Sequence, residues 1–282
     1  MNDTTTEKDK PSLCRLLLHL DSREFTAAIV STVEDSSLRV LRIPLPDGPT
    51  ESALEEAVYS HPRLLADYRK VDLVVRTPQF SLLPGEMETK DVDSLASEFV
   101  YEGTEGVRFV DELTIGGSER LKNVWAVKER EVMNFLMRTF SAPSIHHHLT
   151  PLLKYFGRRN VLGNSGKLYV NVHSAADGGE RGELDLLSFG LGGRLELANT
   201  IPFDGLEDAQ YYILAAARAS GLNVGSDEIL IGGDRRLRAS LLSGLRQFAS
   251  YVMPQVFPAE GLRIGNEAPE IPFSLILMPI CE

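Results

Sequence analysis

The sequence predicts a two-lobed α/β protein, and three observations carry that expectation. One order of elements, three strands followed by a helix and a fourth strand, occurs twice along the chain. The first and fourth strands start near Arg15 and Val71 in the first run and near Lys167 and Asp227 in the second, which makes the two runs almost equal in length. The 282 residues are 43% apolar and 24% charged, a globular balance that can bury a core in one large domain or two ordinary ones.

In the first run, Arg15 to Leu20 is apolar and short, and a polar turn follows at Asp21, Ser22 and Arg23. Glu24 to Thr32 is rich in β-branched and aromatic residues, as a second strand should be. After a turn at Glu34 to Ser36, Leu38 to Ile43 alternates apolar positions as a third strand. Pro44, Pro46, Gly48 and Pro49 break the chain, and Thr50 then caps a helix that Pro62 interrupts. Val71 to Arg76 is the fourth strand.

The second run starts with Lys167 to Val172 and a Gly-rich polar loop from Ser174 to Gly182. Glu183 to Phe189 and Arg194 to Phe203 are strands joined by a turn at Gly190 to Gly193. Asp204 is a candidate cap for a helix carrying Leu206, Ala209, Ile213 and Ala216, which Gly221 stops. Glu228 to Ile231 is the fourth strand. Between the runs, helices are expected from Asp91 to Tyr101, Glu129 to Phe140 and Pro143 or Ser144 to Phe156, with strands at Val107 to Ile115 and Asn123 to Val127. Gly157 to Gly166 is polar and turn-rich and is the expected hinge. The division that follows is a disordered N-terminus over 1–12, a first lobe with added helices over 13–157 and a second lobe over 158–282.

Composition excludes several classes. The formal charge is −11, and a net anion is repelled by phosphate backbones, so nucleic acid is not an expected partner. Met1 to Lys10 lacks the apolar run of a secretory signal, and no stretch approaches the roughly 20 apolar residues of a membrane span, so a cytoplasmic chain without membrane insertion is expected. The two cysteines, Cys14 and Cys281, do not make a disulfide framework and read as small apolar side chains packed in strands.

Three strands in a meander, with a fourth returning through a helix beside the first, make a ribonuclease H-like unit, and two such units make an actin-like ATPase architecture. The chain resembles the bacterial family known as domain of unknown function 3822, whose members have that fold. The resemblance spans most of Arg15 to Ile280. It rests on Leu16 to Val30, on Asn123-Val124-Trp125-Ala126-Val127, and on Leu195 to Phe203 followed by Glu207-Asp208-Ala209-Gln210-Tyr211-Tyr212-Ile213. The family brings no established activity.

The resemblance implies where to look for a nucleotide. An actin-like ATPase holds it between lobes, with one hairpin turn of each lobe donating backbone N–H groups to the phosphates. Carboxylates at those turns orient Mg²⁺, and a Gly-Gly turn accommodates the adenosine. Here the first turn is Asp21-Ser22-Arg23-Glu24, in which Asp21 fits the metal-orienting position but Arg23 stands where a glycine is wanted. The second turn contains Asp177 and Gly178 in a long loop that also carries Glu180. The third place, Gly232-Gly233-Asp234 after an apolar strand, fits best.

Other patterns fall away. Gly163 to Lys167 is too short for a P-loop and leads into a strand where a helix is required. His146, His147 and His148 are consecutive, so on a helix they point around it and read as a solvated or locally packed run rather than a metal site. Trp125, Phe135, Phe140, Tyr155 and Phe156 read as core or as a docking surface, and of Tyr211 and Tyr212 one should be exposed or at an interface. The expected function is therefore a non-catalytic interaction scaffold, a pseudo-ATPase with an unidentified protein partner and no cofactor. The alternative is an Mg-ATP-binding ATPase or phosphotransferase with nucleotide between the lobes.

Overall fold

Two five-stranded sheets of identical strand order organise the chain, in a computed structural model that describes residues 10–88, 90–92, 106–175 and 179–281. The first sheet contains β1 (Cys14–Leu20), β2 (Glu24–Ser31), β3 (Arg39–Pro44), β4 (Lys70–Val75) and, later in the chain, β8 (Ser144–His147), in the order β3-β2-β1-β4-β8. The second contains β9 (Lys167–Ser174), β10 (Gly182–Phe189), β11 (Leu195–Phe203), β12 (Glu228–Gly233) and β13 (Tyr251–Pro254), in the order β11-β10-β9-β12-β13. In each sheet the first three strands are antiparallel and the last two run parallel to the first. The repeated unit is thus one strand longer than the sequence predicts.

β8 accounts for one difference. Ser144 opens a strand rather than a helix, because Ser144–His147 pairs in parallel with Asp72–Val75 and completes the first sheet. Tertiary pairing outweighs the local helical pattern there. Helix α3 (Leu149–Asn160) starts only after His148, whose amide donates to the Val75 carbonyl at 3.0 Å. It also runs on into the first residues of the expected hinge, to Asn160, and at Gly157 a Cβ would lie 2.5 Å from Ile115 Cγ2.

The helices expected after Thr50 and from Glu129 to Phe140 form where the sequence places them. α1 (Glu51–Tyr59) is capped by Thr50, whose Oγ1 accepts from the Ala53 amide at 3.2 Å, and Pro62 starts a separate 3₁₀ turn. α2 is Arg130–Thr139, α4 is Leu206–Ala219 and α5 is Arg235–Leu245. Asp204 does not cap α4: the cap is Gly205, which offers no side chain, and Glu207 and Asp208 in the first turn supply the negative charge the helix start favours. The helix expected from Asp91 to Tyr101 lies mostly outside the described residues. β5 (Phe80–Pro84), β6 (Val107–Ile115) and β7 (Glu119–Val127) form a separate three-stranded sheet.

Each large sheet is covered on both faces. α1 and α2 pack with Trp125 and Phe135 on one face of the first sheet. Its other face is covered by the C-terminal segment, where α6 (Ala259–Ile264) and α7 (Phe273–Leu277) lead Ile271, Leu275 and Ile276 against Leu17, Ala28 and Val74. The chain therefore returns to the first sheet after β13. α4 and α5 cover one face of the second sheet, and α3 covers the other. The α3 core joins Leu113 and Ile115 of β6 to Tyr169, Leu187 and Phe189 of the second sheet, so α3 is a shared wall between the sheets. Trp125, Phe135, Phe140, Tyr155 and Phe156 are all core. Cys14 and Cys281 are free and buried, but Cys281 lies after α7 with its thiol toward the Pro151 carbonyl rather than in a strand. Tyr212 packs on the second core, and Tyr211 is 68% exposed.

Candidate functional site

The first hairpin brings Asp21 and Ser22 to a pocket between the sheets, beside Arg76 at the end of β4. At the first hairpin, Asp21 folds back on its own turn. Its Oδ1 accepts the amides of Arg23 at 2.7 Å and Glu24 at 2.8 Å, while the Asp21 amide donates to the Glu24 carbonyl at 3.2 Å. This is an Asx-type turn, in which a carboxylate takes up backbone donors that would otherwise face outward. Ser22 is exposed at the tip, and the Arg23 guanidinium donates to the carbonyl of Ser174 at the end of β9. The second hairpin narrows through the Ala175 amide to the Arg181 carbonyl at 2.8 Å, and Arg236 of α5 donates to the Gly179 carbonyl. Asp177 and Gly178 lie outside the described residues.

Gly233 is required by packing, whereas Gly232 only faces a flexible side chain. Gly233 has φ +87°, and a Cβ there would lie 2.1 Å from the Val172 carbonyl oxygen. A Cβ on Gly232 would lie 2.8 Å from Gln255 Oε1. Asp234 caps α5, accepting the amides of Arg236 and Leu237 at 2.9 Å each. Asp21 and Ser22 line a pocket of about 310 Å³ between the hairpins, together with Arg23, Ser174, Arg181 and Asp204. Among the described residues that line it, Gly232, Gly233 and Asp234 do not appear.

The floor of that pocket is a charge network that sequence reasoning missed. Arg76, the first residue after β4, reaches into the second lobe. Its guanidinium donates from Nη1 to Asp185 Oδ2 at 2.8 Å and from Nη2 to Asp185 Oδ1 at 3.1 Å, both on β10. It also donates from Nη2 to Glu183 Oε2 at 3.0 Å. The Arg76 side chain is 7% exposed and that of Asp185 is 1% exposed, so this bidentate pair is shielded from water. Asp185 further accepts from His148 Nε2 at 3.1 Å, His173 Nε2 at 2.8 Å and Thr200 Oγ1 at 3.0 Å. His148 comes from the first lobe's side of α3, His173 from β9 and Thr200 from β11, so with Arg76 four segments converge on one carboxylate.

The titration behaviour follows from that burial. Desolvation would raise the Asp185 carboxyl, but Arg76, His148 and His173 together hold it well below the usual carboxylate range. Desolvation pushes His148 down to about 4 despite Asp185, and His19, buried on β1, down to about 4. His147 too is held well below its ordinary value by burial. Its Nε2–H donates to the Thr77 carbonyl at 2.9 Å, and its backbone amide donates to Asp111 at 2.9 Å. The histidine run is thus locally packed. Among the described residues, no group of three His, Cys, Asp or Glu side chains is placed to hold a metal ion.

One signal could have revealed the network. Asp185 interrupts the apolar run Leu184 to Leu187 on the face shared by Leu187 and Phe189, and a carboxylate on a core face demands a buried cation. Nothing in the sequence says that the cation is Arg76.

Two lobes of one topology, meeting at their opening hairpins, define a protein of actin-like ATPase fold. A family model described as a protein of unknown function, DUF3822, matches residues 3–252, and the chain belongs to that family. A Bacteroides thetaiotaomicron protein with actin-like ATPase fold and unknown function is similar, with TM-score 0.75 and 19% identity over 96% of this chain and 98% of that one. A chain from a PilM-PilN type IV pilus biogenesis complex shares the fold with TM-score 0.54 and 16% identity, over 96% of this chain and 99% of that one. No curated protein matches the chain. No helix among the described residues is long and apolar enough to cross a membrane.

Proposed function

We propose that this protein is a non-catalytic interaction scaffold, in which side chains rather than a nucleotide hold the two lobes together. The observation that carries the reading is Arg76, which spans the lobes and is bound in bidentate geometry by buried Asp185. A second support is the first hairpin, where Asp21 already accepts the amides a phosphate would need and Arg23 is tied to Ser174. These residues do not fit Mg-ATP in the superfamily's manner: a polyphosphate would meet Asp21 and Glu183, and the Arg76 guanidinium is already neutralised by Asp185. The similar fold solved within the PilM-PilN complex is in keeping with a protein partner. The strongly acidic composition is in keeping with a partner that is not nucleic acid.

The competing reading, an ATPase or phosphotransferase, rests on Asp21 and on Gly232-Gly233. A thermal-shift titration with Mg-ATP separates the two. The scaffold predicts no shift at millimolar nucleotide, and a shift that saturates in the micromolar range would overturn it.

A further inference from the structure

A second pocket, also of about 310 Å³, opens between the three-stranded sheet and α3 and shares no lining residue with the first. Its wall is unlike the rest of this acidic chain. Arg120 and Lys122 come from β7 and Lys154 and Arg158 from α3, against a single carboxylate, Glu112 of β6. Glu112 stands directly across the ladder from Lys122, whose Nζ also donates to the Met87 carbonyl at 2.6 Å, so Lys122 is accounted for. The side chains of Arg120, Lys154 and Arg158 have no hydrogen-bond or ion-pair partner among the described residues. Lys154 and Arg158 are four residues apart and share a face of α3. Arg158 lies in the last turn, where a cation suits the helix dipole, but that leaves Lys154 and the arginine from another element unexplained.

Three cations without an ion-pair partner among the described residues repel each other around one concavity that holds a single carboxylate, and the chain accumulates them here although its overall charge is −11. The volume is at the small end of ligand pockets, which are about 300–1,000 Å³. Guanidinium forks match the oxygens of a phosphate, and an ammonium adds a point charge. The Cys281 thiol is pushed up by burial, so it contributes packing rather than a nucleophile. We propose that this pocket binds a small phosphate-bearing anion of at least two negative charges, held by Arg120, Lys154 and Arg158.

The test is calorimetric titration of the full chain with sodium pyrophosphate at low ionic strength. One site is expected, weakening with added sodium chloride. The double charge reversal Lys154→Glu with Arg158→Glu should weaken it about tenfold or more, with an unchanged far-UV circular dichroism spectrum, and Arg120→Gln should weaken it less. These side chains are not core, so folding should survive. Absence of binding at millimolar pyrophosphate would overturn the proposal, as would wild-type affinity in the double reversal. Loss of binding in Arg23→Glu with retention in the double reversal would place the anion between the lobes and would also overturn it.

Discussion

Arg76 and Asp234 stand at equivalent points of the two lobes. Each is the first residue past the fourth strand of its unit, and each amide donates at 2.8 Å to the carbonyl at the matching place on the central strand, Leu20 in one lobe and Val172 in the other. The backbone is repeated there, but the side chains are used in opposite ways. Arg76 crosses to the second lobe, whereas Asp234 turns back to cap its own helix. The hairpins diverge likewise: Asp21 tightens the first into a short self-capped turn, while the second carries the long segment between Ala175 and Arg181. A duplicated fold therefore fixes where chemistry could sit without fixing which chemistry it is.

The sharpest way to break this comparison is to remove the side chain that crosses. Arg76→Ala leaves Asp185 as a buried charge without its main partner, and chemical denaturation should show a loss of about 3–5 kcal/mol. Replacing the pair together, Arg76→Met with Asp185→Leu, should restore most of it. If the single and double variants lose the same amount, the pair is not a latch. Next in size is Gly233→Ala, where the new Cβ meets the Val172 carbonyl in a left-handed backbone conformation. A loss of about 2 kcal/mol or more is expected, and a neutral result would deny the close approach of β12 to β9.

Acid should act on the crossing side first. His148 and His19 are neutral in the folded chain, with pKa values held at about 4 against an ordinary 6.5. The unfolded chain takes up protons below pH 6.5 that the folded chain refuses until about 4. Stability is therefore full above that upper value and falls steadily toward the lower one. Denaturation midpoints measured across this window should drop, and a flat profile would mean that these imidazoles are solvated. On the local side, Asp234→Ala should cost about 1 kcal/mol by loss of the α5 cap. Smallest of all, Tyr211→Ser should change stability by less than about 0.5 kcal/mol, because the ring is exposed. A larger loss at high protein concentration only would reveal self-association through α4.

The architecture was largely legible because its signals are local. Short apolar, β-branched or alternating runs between turns marked β1 to β4 and β9 to β12, Thr50 announced α1, and Gly221 ended α4 with φ +72°. What stayed hidden depends on contacts far apart in sequence. β8 is a strand only because β4 lies beside it, and a side chain is excluded at Gly157 because Ile115 comes close. The same holds for the site. Asp21, Gly233 and Asp234 could be singled out by type and position, but their roles in a turn, a close approach of two strands and a cap appear only with the backbone in place. Arg76 and Asp185 are 109 residues apart, and no periodicity links a cation to a carboxylate at that distance.

A crystal structure determined with millimolar Mg-ATP present tests the central claim most directly. The account predicts Arg76 still seated on Asp185, Arg23 still on Ser174 and no nucleotide between the hairpins. Triphosphate density against the Asp21 turn, with the Arg76 guanidinium swung away from Asp185, would contradict it.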